Sequence, residues 1–209
     1  MYIDTVLRTQ FGRPSGRIGS VLMRPLLNVA NKRLIGTCVN LLDVRPKDHV
    51  LDVGFGGGYS LRALAAKAKR GRITGLDYSP DMVSIAATML ARESPETRTS
   101  LQCGDAMHLP YADRTFDRIL TVNSIYYWSD LLGGLREMAR VLKNRGRLAV
   151  GFRPTITLRP FTLGWQGFHL YEPEQVAGLM HRSHFRVLRV ERTDQWLPLD
   201  GVVVVAERS

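Results

Sequence analysis

A glycine-rich segment, VLDVGFGGG at residues 50–58, is the strongest chemical signal in the chain. Its first half is apolar enough to form a buried strand, and its second half is typical of a turn that opens a helix. Glycines let a ligand approach the backbone closely, and a helix N-terminus offers unpaired N–H groups. We therefore predict a ligand site at this turn, formed by an acidic residue and alternate glycines: Asp52, Gly54, Gly56 and Gly58.

The spacing of these glycines excludes two common nucleotide-binding loops. The dinucleotide pattern G-x-G-x-x-G fails, because its third glycine would fall on Tyr59 or on Leu61. The P-loop pattern fails because no Gly-Lys-Ser/Thr follows. A carboxylate at Asp52, which we expect to face the mouth of the turn, would repel a pyrophosphate but attract an amino group or a sulfonium. Together with backbone N–H groups that can hold a carboxylate, this favours a zwitterionic amino acid joined to a nucleoside.

Three further groups of polar and aromatic residues follow later apolar stretches. Asp77 ends the next predicted strand, where an acidic side chain can accept hydrogen bonds from both ribose hydroxyls, and Tyr78 and Met82 could flank an adenine. Asp105 follows the third strand and could accept a hydrogen bond from the adenine amine. The fourth strand leads into NSIYYW at residues 123–128. We expect all of these residues at one edge of a sheet.

Strands and helices alternate along the chain, and they must position these residues. The pattern predicts seven strands, at residues 49–53, 72–77, 99–103, 116–123, 147–152, 185–191 and 202–206. It predicts helices at residues 20–43, 58–69, 79–93, 129–142 and 172–182, and irregular chain at 154–170. Repeated β-α-β units imply a mostly parallel sheet with helices on both faces. Asp200-Gly201 predicts a hairpin turn, so the last two strands should pair antiparallel.

The net charge indicates which binding partners the protein could have, and the cysteine content indicates its cellular compartment. The chain has 29 Lys and Arg against 19 Asp and Glu, a net charge of +10, which permits an anionic partner. The charge does not by itself favour nucleic acid, because the basic residues form no run and 24 of the 29 are arginine. Two distant cysteines, Cys38 and Cys103, predict free buried thiols in a reducing compartment. Since no apolar run approaches the roughly 20 residues of a membrane helix and no signal peptide is apparent, we expect no membrane span and a cytoplasmic location.

Four segments stand in a fixed order: LDVGFGGG, GLDYSPDM, GDAMHLPYADRTFD and REMARVLKNRGRLAV. Together they resemble the class I S-adenosylmethionine-dependent methyltransferases, in particular the small-molecule branch with the ubiquinone- and menaquinone-type enzymes (methyltransferase type 11). The resemblance covers roughly residues 45–152. One departure is Asn144-Arg145-Gly146, where the family usually has Pro-Gly-Gly, at the far end of the fifth strand from the ligand edge.

The resemblance implies a fold and a division of the chain. The fold is α/β, Rossmann-like and doubly wound, with a mostly parallel seven-stranded sheet, an antiparallel C-terminal hairpin and an N-terminal helical lid. Residues 1–44 would form the lid or extension, and residues 45–209 the class I methyltransferase domain. The segment FGRPSGRIGS within the first part is similar to the stretch that folds over the cofactor in relatives acting on small molecules.

The resemblance also implies S-adenosylmethionine as cofactor, S-adenosylhomocysteine as product and no metal. It assigns the methionine moiety to Asp52, the three alternate glycines and Asn123, and the ribose to Asp77. It assigns the adenine to Met82, Asp105 and Ala106, and it places Tyr78 beside the adenine. Loose metal-like spacings, such as that of Cys103, Asp105 and His108, are not expected to form a site.

The expected reaction is methyl transfer to a small molecule by in-line displacement, with positioning as the main catalytic factor. No catalytic residue is assigned, but Tyr126 and His169 are candidates. Tyr127, Trp128 and Tyr171 are candidates for lining the acceptor site. Two alternatives stay open: an RNA or protein methyltransferase, suggested by the charge, and a protein that binds the cofactor without transferring methyl. The sequence does not identify the acceptor. We expect a monomer or a homodimer, and we do not expect nucleic acid as a partner.

Overall fold

The computed structural model describes residues 31–93, 98–162, 167–193 and 200–209. Seven strands form one sheet: β1 (His49–Val53), β2 (Arg72–Asp77), β3 (Thr99–Cys103), β4 (Phe116–Val122), β5 (Leu142–Phe152), β6 (Phe185–Thr193) and β7 (Gly201–Arg208). The described helices are α1 (31–41), α2 (Tyr59–Lys67), α3 (Pro80–Glu93), α4 (Leu131–Val141), α5 (Thr155–Thr162) and α6 (Pro173–His181). A short 3₁₀ helix spans Ile125–Tyr127.

The order of strands in the sheet is β3-β2-β1-β4-β5-β7-β6. The pairs among β1 to β5 are parallel, whereas β7 is antiparallel to both β5 and β6. The carboxyl ends of the five parallel strands therefore meet at one edge of the sheet, called the carboxyl edge below, and their first residues meet at the opposite, amino edge. This topology confirms the predicted Rossmann-like fold with its antiparallel C-terminal pair.

Two hydrophobic cores cover the two faces of the sheet. Because side chains alternate along a strand, Val50 packs into one core and Leu51 into the other. The Val50 core receives residues from α1, α2 and α3, and the Leu51 core receives residues from α4 and α6. Both faces of the central strands are thus apolar, which explains their uniformly hydrophobic sequences.

The helices begin where their capping residues predict. Pro80 is the first residue of α3, and the Ser79 hydroxyl accepts a hydrogen bond from the Met82 N–H at 3.4 Å. Asp130 precedes α4, and Glu172 forms a capping box with Gln175 at the start of α6. These local signals fix the loops that enter and leave the carboxyl edge.

Several details differ from the sequence prediction, and one is that β5 begins at Leu142 rather than at residue 147. Residues 154–170 were expected to be irregular because of their Pro and Gly content, but α5 forms directly after Pro154, where proline is tolerated. Gly201 is already in the ladder opposite Thr193, so Asp200-Gly201 is not a complete hairpin turn. Cys38 is buried as expected, but Cys103 is exposed, because β3 is the edge strand and only one side of it is paired.

Helix α1 belongs to the packed part of the molecule. Leu34, Cys38 and Leu42, at or just after this helix, are at most 1% exposed and lie in the Val50 core. Most of the predicted lid, residues 1–30, lies outside the described residues, so the lid stays a prediction. Among the helices that the structure describes, none is both long and apolar enough to cross a membrane.

Candidate functional site

Backbone hydrogen bonds join the loops that follow the first three strands. The Gly54 N–H after β1 donates to the Leu76 carbonyl at 2.7 Å, and the Gly104 N–H after β3 donates to the Asp77 carbonyl at 3.0 Å. The Gly56 N–H donates to Asp77 Oδ2 at 2.8 Å. The glycine turn, the end of β2 and the start of the Asp105 loop are therefore held side by side at the carboxyl edge.

The glycine turn has two kinds of glycine. Gly58 has a φ of 87°, and an added Cβ would lie 2.6 Å from the Met89 Cε and 3.1 Å from the Ala86 Cβ. Close packing against α3 therefore requires glycine at this position. Gly56 also has a positive φ, but an added Cβ at Gly56 or at Gly57 would meet no atom within 4 Å. The turn is anchored at its end and leaves an open backbone in its middle.

Asp77 is the polar centre of this edge. It is 9% exposed, and its Oδ1 accepts the Ser79 N–H at 3.0 Å while its Oδ2 accepts that of Gly56. A carboxylate has about four acceptor positions, so two described bonds leave capacity for a ligand's hydroxyls. The next side chain, Tyr78, is 73% exposed, and Met82 is half-buried nearby in sequence at the start of α3.

Asp105 and Asn123 reach the same edge from β3 and β4. Asp105 Oδ1 accepts the Met107 N–H at 2.9 Å, which orders the loop, and Ala106 is buried beneath it at 6% exposure. Asn123 has a φ of 55°, and its N–H donates to the Gly151 carbonyl at 2.8 Å. Its side-chain amide donates to Asn31 Oδ1 at 3.2 Å, which ties α1 to the carboxyl edge.

Asp52 differs from its predicted position at the mouth of the turn. It is 1% exposed, because strand alternation places it on the Val50 face, under α1 and α2. Burial, together with the negative charge of Asp77, raises the pKa of Asp52 to about 7, although a hydrogen bond from Ser60 opposes the shift. Its Oδ2 has no hydrogen-bond partner among the described residues. Asp52 is a buried carboxyl group beneath the turn.

Tyr126 is also buried, at 3% exposure. Its hydroxyl accepts the Arg153 N–H at 2.5 Å and lies 3.3 Å from both the Arg153 carbonyl and Asn123 Oδ1. Burial raises its pKa well above the ordinary tyrosine range. Through these contacts Tyr126 connects β5 to the 3₁₀ helix. Its role as a catalytic base stays a prediction, and burial leaves its hydroxyl little access to a substrate.

The remaining aromatic residues divide between wall and core. Tyr127 is 43% exposed, and its ring centroid lies 5.3 Å from that of Phe168. Phe168 in turn stacks on Tyr126 at 4.9 Å. Trp128, a predicted wall residue, is instead 7% exposed and packs against Gly134, where an added Cβ would lie 2.8 Å from the indole ring.

His169 and Tyr171 lie beside this aromatic group. The His169 N–H donates to the Tyr126 carbonyl at 2.9 Å, and the His169 side chain is exposed. The Tyr171 carbonyl accepts the N–H of Thr155 at 3.2 Å, so the start of α5 is joined to the same region. Ile156 on α5 is 78% exposed. His169 remains accessible as a candidate base, and Tyr171 remains a candidate wall residue.

Sequence reasoning missed three residues of this region. Ser60 could have been found, because a buried carboxyl group needs a donor and Ser60 follows the glycine turn directly. Phe168 and Arg153 gave no periodic signal, since both lie in loops outside the strands. Among the described residues, no group of three or more His, Cys, Asp or Glu side chains is arranged to hold a metal ion.

Comparison with known proteins agrees with this geometry. Residues 51–150 match a family model described as a methyltransferase domain. The match spans slightly less than half of the chain, which in this region is similar to class I methyltransferase domains. The matched residues run from β1 through β5, so they include the glycine turn, Asp77, Asp105 and Asn123.

Curated methyltransferases are similar to this chain over part of its length. Methyltransferase GfsG of Streptomyces halstedii is 40% identical over 121 residues, which are 58% of this chain and 43% of that protein. Demethylmenaquinone methyltransferase of Thermotoga maritima is 40% identical over 110 residues, 53% of this chain and 45% of that protein. The chain therefore spans less than half the length of these two relatives.

Solved structures share the fold at low sequence identity. The structure of a geranyl diphosphate methyltransferase in complex with SAM has a TM-score of 0.76 and 14% sequence identity. The similarity covers 95% of this chain and 93% of that one. At this identity the similarity establishes the architecture and carries no information about the acceptor.

Proposed function

We propose that the protein transfers a methyl group from S-adenosylmethionine to a small-molecule acceptor by in-line displacement. The observation that carries the proposal is the bond between the Gly56 N–H and Asp77 Oδ2 at 2.8 Å. It joins an open glycine turn to an acidic strand end, which is the arrangement that a nucleoside bearing an amino acid requires.

The residues present fit this cofactor. The open backbone at Gly56 and Gly57 would accommodate the methionine moiety together with Gly54, Gly58 and Asn123. Asp77 would accept the ribose hydroxyls, and the exposed ring of Tyr78 together with Met82 would flank the adenine. Asp105 and Ala106 would contact the adenine edge. Asp52, whose Oδ2 has no described partner, would act from beneath the turn by its negative charge rather than by an exposed contact.

We infer that the acceptor is a predominantly apolar small molecule. Tyr127, Phe168 and Ile156 present apolar surface where β4 and β5 end, and ligand sites are commonly lined in this way. Similar proteins include a demethylmenaquinone methyltransferase and an erythromycin 3''-O-methyltransferase, whose names indicate small-molecule acceptors. Arg153, the arginine next to Tyr126 at this edge, is only 5% exposed, which makes an RNA acceptor the weaker alternative.

When bound, S-adenosylmethionine supplies an electrophilic methyl group on a positively charged sulfur. The chain's own contribution is to hold the acceptor in line, which can lower the barrier substantially without any ionisable group. Apolar residues around the acceptor exclude water, and this favours dispersal of positive charge. His169, which is exposed at this edge, is the candidate for taking a proton from a hydroxyl acceptor.

The assignment of Asp77 can be tested by calorimetry with S-adenosylhomocysteine and its 2′-deoxy analogue. Asp77→Asn should weaken S-adenosylhomocysteine by about 10- to 100-fold, the usual value for a hydrogen bond to a charged group. The same substitution should weaken binding of the 2′-deoxy analogue much less, because the analogue lacks one of the two hydroxyls. Asp81→Asn, an exposed acid on α3, is the matched control and should bind both ligands like the unchanged protein.

Equal weakening of both ligands would show that Asp77 acts only by holding the turn. Absence of any saturable binding of S-adenosylhomocysteine to the unchanged protein would refute the cofactor itself. Methyl transfer is then measured with radiolabelled cofactor and cell extract separated into small metabolites, RNA and protein. Label in the apolar metabolite fraction supports the proposal, whereas label in RNA or protein would show that the acceptor is a macromolecule. Binding of the cofactor without any methyl transfer favours a non-catalytic role.

A further inference from the structure

A positively charged cleft of about 260 Å³ lies at the amino edge of the sheet, opposite the carboxyl edge. Strand β4 is seven residues long, so the two edges are roughly 20 Å apart at about 3.3 Å per residue. The cleft is lined by Lys47, His49, Arg70, Gly71, Arg72, Arg98, Thr115, Asp117 and Lys143. The proposed methyl transfer uses none of these residues.

The charges around this cleft are strongly unbalanced. Its lining carries five positive charges and one negative charge, a net charge of +4 with His49 neutral. The negative charge is already engaged, because Asp117 Oδ1 pairs with Lys143 Nζ at 2.8 Å and its Oδ2 accepts the His49 N–H at 2.9 Å. In the described chain, no carboxylate forms an ion pair with any of the four other cations: Lys47, Arg70, Arg72 and Arg98.

The sheet fixes the positions of these residues. Arg72 is the residue of β2 that pairs with His49 of β1, and Arg98 directly precedes β3, with its carbonyl accepting the Ile73 N–H at 3.0 Å. Asp117 belongs to β4 on the other side of β1. Arg72 and Arg98 therefore start from adjacent strand ends, and both side chains are exposed to a ligand.

Two of the cations lie close enough to His49 to act on it. Burial, followed by the positive charge of Arg72 and then that of Lys143, lowers the pKa of His49, against the opposing effect of Asp117. Like charges gathered in a concave site repel one another and focus a positive potential outward. A multivalent anion in the cleft would remove this repulsion, and guanidinium groups are well suited to bind phosphate oxygens in pairs.

We propose that this cleft binds a small oligophosphate, either inorganic or as the phosphate chain of a nucleotide. Its size suits two or three phosphate groups rather than a whole macromolecule. Proteins that bind single-stranded nucleic acid combine a basic groove with aromatic side chains for base stacking. The described residues that line the cleft include no Phe, Tyr or Trp, so their composition favours a phosphate chain over RNA. The site is independent of the cofactor, since it lies at the other edge of the sheet.

Calorimetric titration with inorganic triphosphate at low salt tests the proposal. The unchanged protein should bind one equivalent, and the double variant Arg72→Gln/Arg98→Gln should bind it roughly 100-fold more weakly, because two charged hydrogen-bonding groups are lost. The matched control, Arg136→Gln/Arg182→Gln, removes the same charge from exposed positions outside the cleft and should bind like the unchanged protein. Circular dichroism and the thermal midpoint establish that each variant is folded. If the double variant does not fold, the single variant Arg98→Gln, whose position lies outside any strand, replaces it in the titration.

Three results would overturn the proposal: no saturable binding of triphosphate, an equal loss in the control variant, or tighter binding of a single-stranded RNA through Arg72 and Arg98. A titration with GTP distinguishes the sources of the phosphate. Equal affinities for GTP and triphosphate would show that the phosphate chain alone is recognised, and tighter binding of GTP would identify a nucleotide. Either of these two results supports the oligophosphate site.

Discussion

Replacing Asp52 with asparagine tests whether a carboxyl group is buried under the glycine turn. Asp52 is 1% exposed and its pKa is raised to about 7 from 3.8, first by burial and further by the negative charge of Asp77. The folded protein therefore holds the proton of this group more tightly than the unfolded chain does. Asparagine has nearly the same shape and can still accept a hydrogen bond from Ser60, but it never ionises.

The sign and size of the effect follow from this difference in pKa. Stability due to the protonated Asp52 is fully present below about pH 4 and is lost as the pH rises through about 7. Each unit of pKa difference corresponds to about 1.4 kcal/mol, so the loss approaches about 4 kcal/mol above pH 7. Asp52→Asn should therefore gain stability relative to the unchanged protein between pH 4 and 7, and the difference should then level off.

Urea denaturation at half-unit pH intervals from 4 to 8, without cofactor, measures this difference. The informative quantity is how the difference in unfolding free energy between Asp52→Asn and the unchanged protein changes with pH. A cost of the amide that does not depend on pH does not affect this slope. Asp81→Asn, an exposed acid, serves as the control and should show no comparable slope. A flat difference between Asp52→Asn and the unchanged protein from pH 5 to 7 would refute the burial of a titrating carboxyl group at this position.

Three further substitutions test the packing around the site. Gly58→Ala should cost about 2–4 kcal/mol by denaturation, because the positive φ and the contact with the Met89 side chain both oppose a Cβ. Tyr126→Phe should cost about 1–3 kcal/mol, because the bond from the Arg153 N–H to the hydroxyl is lost; methyl transfer that persists in this variant would exclude the Tyr126 hydroxyl as the base. Leu34→Ala should cost about 2–5 kcal/mol if α1 is part of the core, and a cost below 1 kcal/mol would indicate that this helix is only loosely attached.

Much of the fold could be predicted from local sequence. The bounds of β1, β2 and β3 were predicted to the residue, because each strand is a short segment between turn or loop formers. Helix α3 begins at Pro80 after Ser79, as its capping residues predict. Helix α5 was missed because the segment 154–170 contains two prolines and two glycines, and a proline directly before a helix is compatible with both outcomes.

The candidate site could be predicted only in part. The parallel direction of the first five strands follows from the β-α-β pattern, and it brings Asp77, Asp105 and Asn123 to one edge because parallel strands end together. The sequence could not reveal which way an individual side chain faces at that edge. Asp52 illustrates the difference, since one step of strand alternation separates the mouth of the turn from the core beneath it.

The sequence alone determined the elements, their order and the chemistry of the loops that join them, because these depend on local patterns of apolar, capping and turn residues. Only the tertiary structure decided which groups are accessible. It buried Asp52, Tyr126 and Trp128, left Tyr78 and Tyr127 exposed, and gathered the cations of the amino edge around one cleft. Burial and the convergence of charge depend on contacts between residues far apart in the chain, such as His49 with Asp117, and no local pattern encodes them.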